Sequence, residues 1–181
     1  SIFALFIIYI KIFSLYGLYM DNPKRRWSHP TWHLFHSFSV CIEEDFYKKN
    51  RDECLGIISL ICDHLPCPFC QQDARNYVKD ILKKKLNNKE DFKRYLFDFH
   101  NVVNRKTNKH NANISIIKRY KNINMDKCWR LFDRQFYKAY ITGRNFQQWR
   151  RNSIREKINE FFKKNWEEMF NEDQKKPKEL E

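Results

Sequence analysis

Glycine and proline are scarce in this sequence of 181 residues, which contains 3 and 5 of them respectively. All-β folds rich in turns and glycine-rich phosphate-binding loops depend on these residues, so both are disfavoured. Six cysteines are too few for a disulfide-stapled scaffold of this length. Hydrophobic residues nevertheless make up 42% of the chain and aromatic residues 17%, which is enough to fill a core. The composition therefore favours a helical domain, with room for an appendage.

The positive charge of the chain raises the question of a nucleic-acid partner. The formal net charge is +13, and a basic surface attracts phosphates. The Lys and Arg residues are spread along the chain, however, without an arginine-rich tract or a recognisable nucleic-acid-binding motif. We therefore do not expect nucleic acid to be the main partner.

Residues 1–20 are strongly apolar apart from Lys11 and are long enough to cross a bilayer as a helix. Three interpretations are open: a membrane anchor, a helix buried against protein, or translated sequence that precedes a start at Met20. The lack of a small-residue cleavage site argues against a removed signal peptide. We favour a helix packed on an apolar surface, either lipid or protein, and assign residues 1–22 to this segment.

Apolar residues then recur every three or four positions, which is typical of amphipathic helices. Pro66 is expected to end the second of these helices, directly before a Cys-Pro-Phe-Cys motif. The predicted elements are a helix over 31–46, a charged loop over 47–52, a helix over 54–65, a helix from Cys67 to about Leu82, and a helix whose apolar face runs from Phe92 to Val103.

Residues 122–171 are predicted to form an added helical region, and residues 172–181 a charged, frayed tail. Two apolar stripes run through the added region, with a break expected at Gly143. We expect these stripes to pack on the rest of the protein or between subunits, and a docking surface for a thiol-bearing partner is the alternative. Their members are Trp129, Phe132, Phe136 and Tyr140 in the first stripe, and Ile154, Ile158, Phe161 and Met169 in the second.

Cys67 and Cys70 form a CxxC motif at the expected start of a helix. Unpaired N–H groups and the helix dipole stabilise a thiolate there, so the pair is suited to redox cycling. A zinc site that also uses Cys62 or His64 is one alternative, but no second pair follows at zinc-finger spacing. A glutaredoxin-like fold is another, but it needs a strand before the motif, where the sequence has helical periodicity. We favour a redox pair and expect no metal.

A polar face is predicted near the end of the fourth helix. Imidazole and amide groups are poorly suited to a core unless each finds a partner, but they suit a ligand with ring nitrogens and phosphates. An exposed, solvated helix end is the alternative. The face contains His100, Val103, Asn104 and Thr107, with Asn101, Arg105 and Lys109 beside it.

Three motifs occur together over about residues 27 to 120. They are Trp27-x4-Trp32-x3-His36, then Leu65-Pro66-Cys67-x-x-Cys70, then His100-Asn101-x-Val103-Asn104-Arg105-Lys106-x-x-Lys109. In this order and spacing the sequence resembles the Erv/ALR family of sulfhydryl oxidases, and its compact form is similar to the short viral members.

The resemblance implies an all-α fold over residues 23–121, in which a four-helix bundle with a short fifth helix binds FAD, usually as a homodimer. Extra C-terminal helices follow. Cys67 would meet the substrate and Cys70 would lie next to the flavin. The residues that the resemblance assigns to the FAD site are Thr31, Trp32, His36, Cys70, His100, Asn101, Val103, Asn104, Arg105, Lys109 and Tyr120.

The implied activity is a thiol oxidase that forms disulfides in dithiol protein substrates and reduces O2 to H2O2. Alternatives are a zinc-stabilised basic module that binds nucleic acid or protein, and a membrane-associated structural protein. The localisation is open among membrane association through residues 1–20, host cytoplasm and virion, the last two for a viral protein. Cys41 and Cys54 flank a short loop and could pair, with buried free thiols as the alternative.

Overall fold

The computed structural model describes residues 23–138 and 145–175, and within those ranges the chain is helical and forms no strand. This confirms the predicted all-α fold class. None of the helices in the described part combines the length and hydrophobicity needed to cross a bilayer. The helices are α1 (Pro23–Cys41), α2 (Glu44–Lys49), α3 (Arg51–Cys62), α4 (Pro68–Val78), α5 (Lys89–Lys106), α6 (Met125–Lys138), α7 (Asn145–Met169) and α8 (Glu172–Lys175), with 3₁₀ helices at Ile81–Lys83 and Ile114–Tyr120.

The predicted loop at residues 47–52 is wrong. Only Asn50 separates α2 from α3 there. The charges of this run match the helix ends instead, because Lys48 and Lys49 lie in the last turn of α2. Asp52 and Glu53 lie in the first turn of α3. Each set of charges is opposite in sign to the partial charge of its helix end and therefore interacts favourably with the helix dipole. A charged run can therefore mark two abutting helices as well as a loop.

The starts of α4 and α5 are set by local side-chain caps. Cys67 is the N-cap of α4, where its Sγ accepts a hydrogen bond from the Cys70 N–H at 3.2 Å, and Pro68 follows at the first helical position. Asn88 caps α5 in the same way, since its Oδ1 accepts from the Asp91 N–H at 2.8 Å. Pro68 thus sets the start of the helix that carries the CxxC motif, and Asn88 sets the start of the helix that carries the polar face.

Phe38 on α1 connects the N-terminal bundle with the C-terminal helices. Its buried ring makes edge contacts with Phe92 of α5, with Phe161 and Phe162 of α7, and with Phe170. α6 also packs along α1. The prediction that the added stripes pack on the rest of the protein is therefore confirmed for the described residues. Tyr140 and Gly143 lie outside them, as do residues 1–22 and 176–181.

The tail predicted at 172–181 is folded in its first part. Residues 172–175 form α8, and Gln174 is only 8% exposed. Its backbone N–H donates to Asn171 Oδ1 at 3.2 Å, and its Oε1 accepts from the Asn171 N–H at 3.3 Å. These reciprocal bonds close α8 onto the end of α7, which the charge pattern did not indicate.

Removal of the Phe132 ring should show that the C-terminal helices belong to the core. Phe132 is fully buried, so we expect Phe132→Ala to lower the free energy of unfolding by about 3–5 kcal/mol, from lost burial and the cavity left behind. The matched control is Phe69→Ala, because Phe69 is 88% exposed and its loss should change stability by less than about 0.5 kcal/mol. Denaturant unfolding followed by circular dichroism measures both. Equal small effects would show that α6 is not part of the cooperative unit.

Candidate functional site

The site is built where α1 lies against α5. Trp32 stacks on His100, with ring centroids 4.1 Å apart and planes within 2° of parallel. His36 follows Trp32 by one helical turn, and its Nε2 lies 2.8 Å from His100 Nδ1. Phe99 meets the Trp32 ring edge-on at 5.0 Å. The motifs of α1 and α5 therefore form a single aromatic cluster.

Tyr120 joins this cluster from the 3₁₀ helix at Ile114–Tyr120. Its ring centroid lies 5.2 Å from that of His36 and 5.5 Å from that of His33. His33 is not among the site residues predicted from the sequence. A signal for it existed in the sequence, because His29, His33 and His36 recur at helical spacing along α1.

The two central histidines are neutral at neutral pH. Burial, reinforced by the neighbouring His100, lowers the pKa of His36 from 6.5 to about 3. Burial, followed by the charge of Lys109, lowers the pKa of His100 from 6.5 to about 4. The two rings share one hydrogen between His36 Nε2 and His100 Nδ1, while His36 Nδ1 is buried without a partner. An unpaired buried polar atom in an aromatic cluster is suited to a polar ligand.

The amides of α5 hold the segment that follows the helix. Asn101 Oδ1 accepts from the Ala112 N–H at 2.9 Å, and its Nδ2 donates to the Ala112 carbonyl at 3.2 Å. Asn104 Nδ2 donates to Asn101 Oδ1 at 3.3 Å, and its carbonyl accepts from the Lys109 N–H at 2.8 Å. The Asn101 side chain and the Asn104 carbonyl thus hold Ala112 and Lys109 near the end of α5, and direct contact of either asparagine with a cofactor stays a prediction.

The other predicted site residues differ in accessibility. Thr31 is 4% exposed, and its hydroxyl donates to the Trp27 carbonyl at 2.7 Å. Val103 is half-buried against the core, whereas Arg105 and Lys109 are exposed at the C-terminal end of α5. Two exposed cations beside the cluster can bind an anionic group such as a phosphate.

Cys67 and Cys70 form a disulfide in the structure. Cys70, Asp73 and Tyr77 follow one another at helical spacing on α4. Asp73 pairs with Lys106 of α5 at 2.7 Å, and Tyr77 stacks on Phe99 at 4.3 Å. The face of α4 that carries Cys70 is therefore the face turned toward α5 and its aromatic cluster.

Cys67 lies on the side of α4 nearest the end of α3. Gln71, one turn further on, donates its Nε2–H to the Asp63 carbonyl, and Arg75 Nε donates to Asp63 Oδ1 at 3.0 Å. Cys62 is buried, and His64 Nδ1 lies 2.8 Å from the Leu60 carbonyl. The zinc interpretation needed these groups together with two free thiolates, but the disulfide occupies both sulfur atoms.

The other four cysteines are buried thiols, so the suggested pair of Cys41 with Cys54 does not form. Burial raises the pKa of Cys41 to about 11 and those of Cys54 and Cys128 to about 12, and it also raises the pKa of Cys62. Since the thiolate is the reactive form, these thiols are inert at neutral pH.

Comparison with known proteins agrees with the motifs. The model of the Erv1/Alr family matches residues 29–130, which extend from α1 into α6. The chain belongs to the Erv1/Alr family. This confirms the resemblance from which the site residues were assigned, and it leaves α7 and α8 outside the matched region.

Curated relatives of this Erv1/Alr chain include viral proteins. It is 34% identical over 84 residues to proteins named FAD-linked sulfhydryl oxidase from the Pig/Kenya and Tick/Malawi isolates of African swine fever virus. The matched stretch covers 46% of this chain and 69% of each relative. No solved structure shows a significant match.

The pH dependence of stability should report the buried histidines. The unfolded chain takes up protons below pH 6.5, whereas His36 and His100 stay neutral in the folded state until about pH 3 and 4. Stability should therefore fall as the pH is lowered from 6.5, because the unfolded state binds more protons. We expect His36→Phe, which keeps the ring stack, to weaken this decline between pH 6.5 and about 5, above the range where carboxylates dominate.

Thermal midpoints across that range measure the effect. His110→Phe is the matched control, because His110 is exposed and makes none of the ring contacts of the cluster. It should keep the wild-type slope. Identical slopes in all three proteins would contradict the assignment of neutral, buried histidines.

Proposed function

We propose that this chain uses the Cys67–Cys70 disulfide to oxidise dithiol substrates and transfers the electrons through FAD to O2, which yields H2O2. The observation that carries the proposal is the disulfide at the N-terminus of α4, on a helix whose Cys70 face is directed at the Trp32–His100 cluster. As a member of the Erv1/Alr family with relatives named FAD-linked sulfhydryl oxidase, the chain is a flavin-linked thiol oxidase whose cofactor is FAD.

The residues of the cluster fit FAD in three respects. The flat pair of Trp32 and His100 offers an aromatic surface for a ring system. The unpartnered His36 Nδ1 needs a polar partner, which a heterocycle supplies. Arg105 and Lys109 are exposed cations near the same end of α5 and are suited to a diphosphate.

The protein prepares Cys67 and Cys70 for thiol–disulfide exchange. Cys67 precedes the first turn of α4, where the helix dipole and the Cys70 N–H, 3.2 Å from Cys67 Sγ, stabilise negative charge on sulfur. A substrate thiolate attacks Cys67 Sγ, so that a mixed disulfide forms, the Cys67–Cys70 bond breaks and Cys70 leaves as a thiolate. The second substrate thiolate then attacks the substrate sulfur of the mixed disulfide and releases Cys67. The substrate loses two electrons, which reduce the cysteine pair.

Bound FAD would supply the two-electron chemistry between the reduced pair and O2, and Trp32, His100 and Lys109 are among the residues that would hold it. The chain's own part is positioning. The Asp73–Lys106 ion pair and the Tyr77–Phe99 stack hold α4 against α5, so Cys70 stays on the side of the cluster. Burial keeps His36 and His100 neutral, so the cluster presents uncharged imidazole rings on this side.

The assembly and the domain boundaries remain predictions. A homodimer is implied by the family resemblance alone. Because Phe38 packs on both α5 and α7, we infer that the described residues before and after residue 121 fold as one unit. The viral relatives favour a viral source, with host cytoplasm and virion as the corresponding localisations.

Single substitutions of the redox pair test the mechanism. Cys67→Ser and Cys70→Ser should each abolish oxidation of dithiothreitol, because neither variant can form the internal disulfide. Cys128→Ser is the matched control, since Cys128 is a buried thiol outside the pair, and it should keep turnover. Oxygen consumption and peroxide release provide the measurement. Full activity in Cys70→Ser would refute the mechanism.

Flavin retention tests the cofactor site. We expect His100→Ala to bind much less flavin than the wild type, because it removes the ring under Trp32 and the partner of His36. Loss of a ligand that binds the folded state should also lower the thermal midpoint. His110→Ala, which changes an exposed histidine, should leave both values as they are. The measurement is the ratio of flavin to protein absorbance, and an unchanged ratio in His100→Ala would contradict the site.

A further inference from the structure

Phe69 lies between the two redox cysteines and is almost fully exposed. It is the second residue of α4, and 88% of its side chain is accessible, more than for Leu82, Ile114 or Ile116. Single exposed apolar residues are common on protein surfaces. Phe69 differs from that case because it lies in the sequence between the two residues that the reacting S–S bond joins.

Phe69 is part of a small apolar surface, which we call the CPFC rim: Leu65, Pro66, Pro68 and Phe69. Pro68 is exposed, and Leu65 and Pro66 are half-buried. None of these four side chains carries a charge or a hydrogen-bond donor. A substrate can therefore interact with the rim's side chains only through shape and apolar contact.

Two ion pairs lie close to the CPFC rim. Arg75 pairs with Asp63 at 3.0 Å, and Lys106 pairs with Asp73 at 2.7 Å. Burial lowers the pKa of His64, so its ring is neutral at neutral pH. These two ion pairs offset part of the positive charge near the rim, and the rim itself adds only apolar contacts.

We propose that Phe69 determines substrate specificity by binding an apolar or aromatic side chain next to the substrate's attacking cysteine. This inference rests on the proposed function. A substrate that forms a bond with Cys67 Sγ brings the side chains next to its own cysteine close to the CPFC rim, where the Phe69 ring is 88% exposed. The preferred substrate is an extended segment, such as an incompletely folded chain, whose cysteine has apolar neighbours.

The exchange step itself is unchanged by this contact. One substrate–Cys67 S–S bond forms as the Cys67–Cys70 bond breaks, and the electron pair of the broken bond stays on the Cys70 sulfur. Phe69 contributes by removing apolar surface from water in the encounter complex and the mixed disulfide. Its effect should therefore appear mainly in KM, with little change in kcat.

Two peptide substrates distinguish selection of the substrate by Phe69 from general support of the cysteine pair. Each carries the same pair of cysteines, flanked by Leu and Phe in one peptide and by Ser and Gly in the other. For the wild type we expect kcat/KM to favour the apolar peptide. In Phe69→Ser this preference should fall about tenfold, which corresponds to about 1.4 kcal/mol. Phe69→Leu should restore most of it, and Leu82→Ser, at another exposed apolar position, should keep the wild-type preference.

A second measurement is independent of flavin and turnover. In a Cys70→Ser background, a version of each peptide that keeps a single cysteine is activated at that cysteine with thionitrobenzoate. Cys67 attacks the peptide sulfur and displaces thionitrobenzoate, so colour release gives the rate of mixed-disulfide formation. The same preference, and the same loss in Phe69→Ser, are expected here. If the wild-type protein shows no oxygen-dependent turnover but the mixed-disulfide assay shows this preference, the proposed oxidase function fails and the role of Phe69 stands.

Two results would overturn the inference. One is an equal preference in wild type and Phe69→Ser in the mixed-disulfide assay. The other is an equal fall in reaction rate with both peptides in Phe69→Ser. That result would mean that Phe69 supports the cysteine pair itself and does not select the substrate.

Discussion

The rest of the structure depends on one constraint: α1 is buried on two sides, against α5 and against α7. Trp32 and His36 face α5, where they meet His100, while Phe38 packs against α7 as well as α5. A helix buried in this way has to satisfy its polar side chains internally. Ser39 donates to the His36 carbonyl at 3.1 Å, and Thr31 donates to the Trp27 carbonyl. Thr31 and Ser39 are therefore satisfied within the helix, whereas His36 Nδ1 is left without a partner.

The electrostatics of the site follow from that burial. A histidine enclosed by aromatic rings loses the hydration that stabilises its charged form, so His36 and His100 are held neutral. The same desolvation raises the pKa values of the buried thiols Cys41, Cys54 and Cys128. Reactive sulfur is thereby confined to the half-buried pair at the start of α4, where a helix N-terminus favours the thiolate. One fold thus contains both inert and reactive cysteines.

The C-terminal helices extend the Erv1/Alr core of this chain. The family match ends at residue 130, within α6, yet the hydrophobic cluster continues through Phe132 and Phe162 to Phe170. The Glu43 N–H also donates to the Met169 carbonyl at 2.8 Å, so the end of α7 closes on the turn after α1. The added region therefore contributes to the same core as the matched one, and its stripes are used for packing.

Local patterns in the sequence determined the helices and the CxxC pair, whereas the predicted FAD-site residues came from the family resemblance. Amphipathic spacing, Pro66 and the cap residues act over a few positions, so they can be read without a structure. The charged run at 47–52 was misread because helix ends and loops carry the same charges. Tertiary packing decided three other features: the stacking of Trp32 on His100, the contact of Tyr120 with His33, and the hydrogen bonds of Asn101 to Ala112. A periodic pattern specifies which face of a helix is buried, but the partner of that face depends on how distant segments, such as His36 and His100 at 64 residues apart, fill space together.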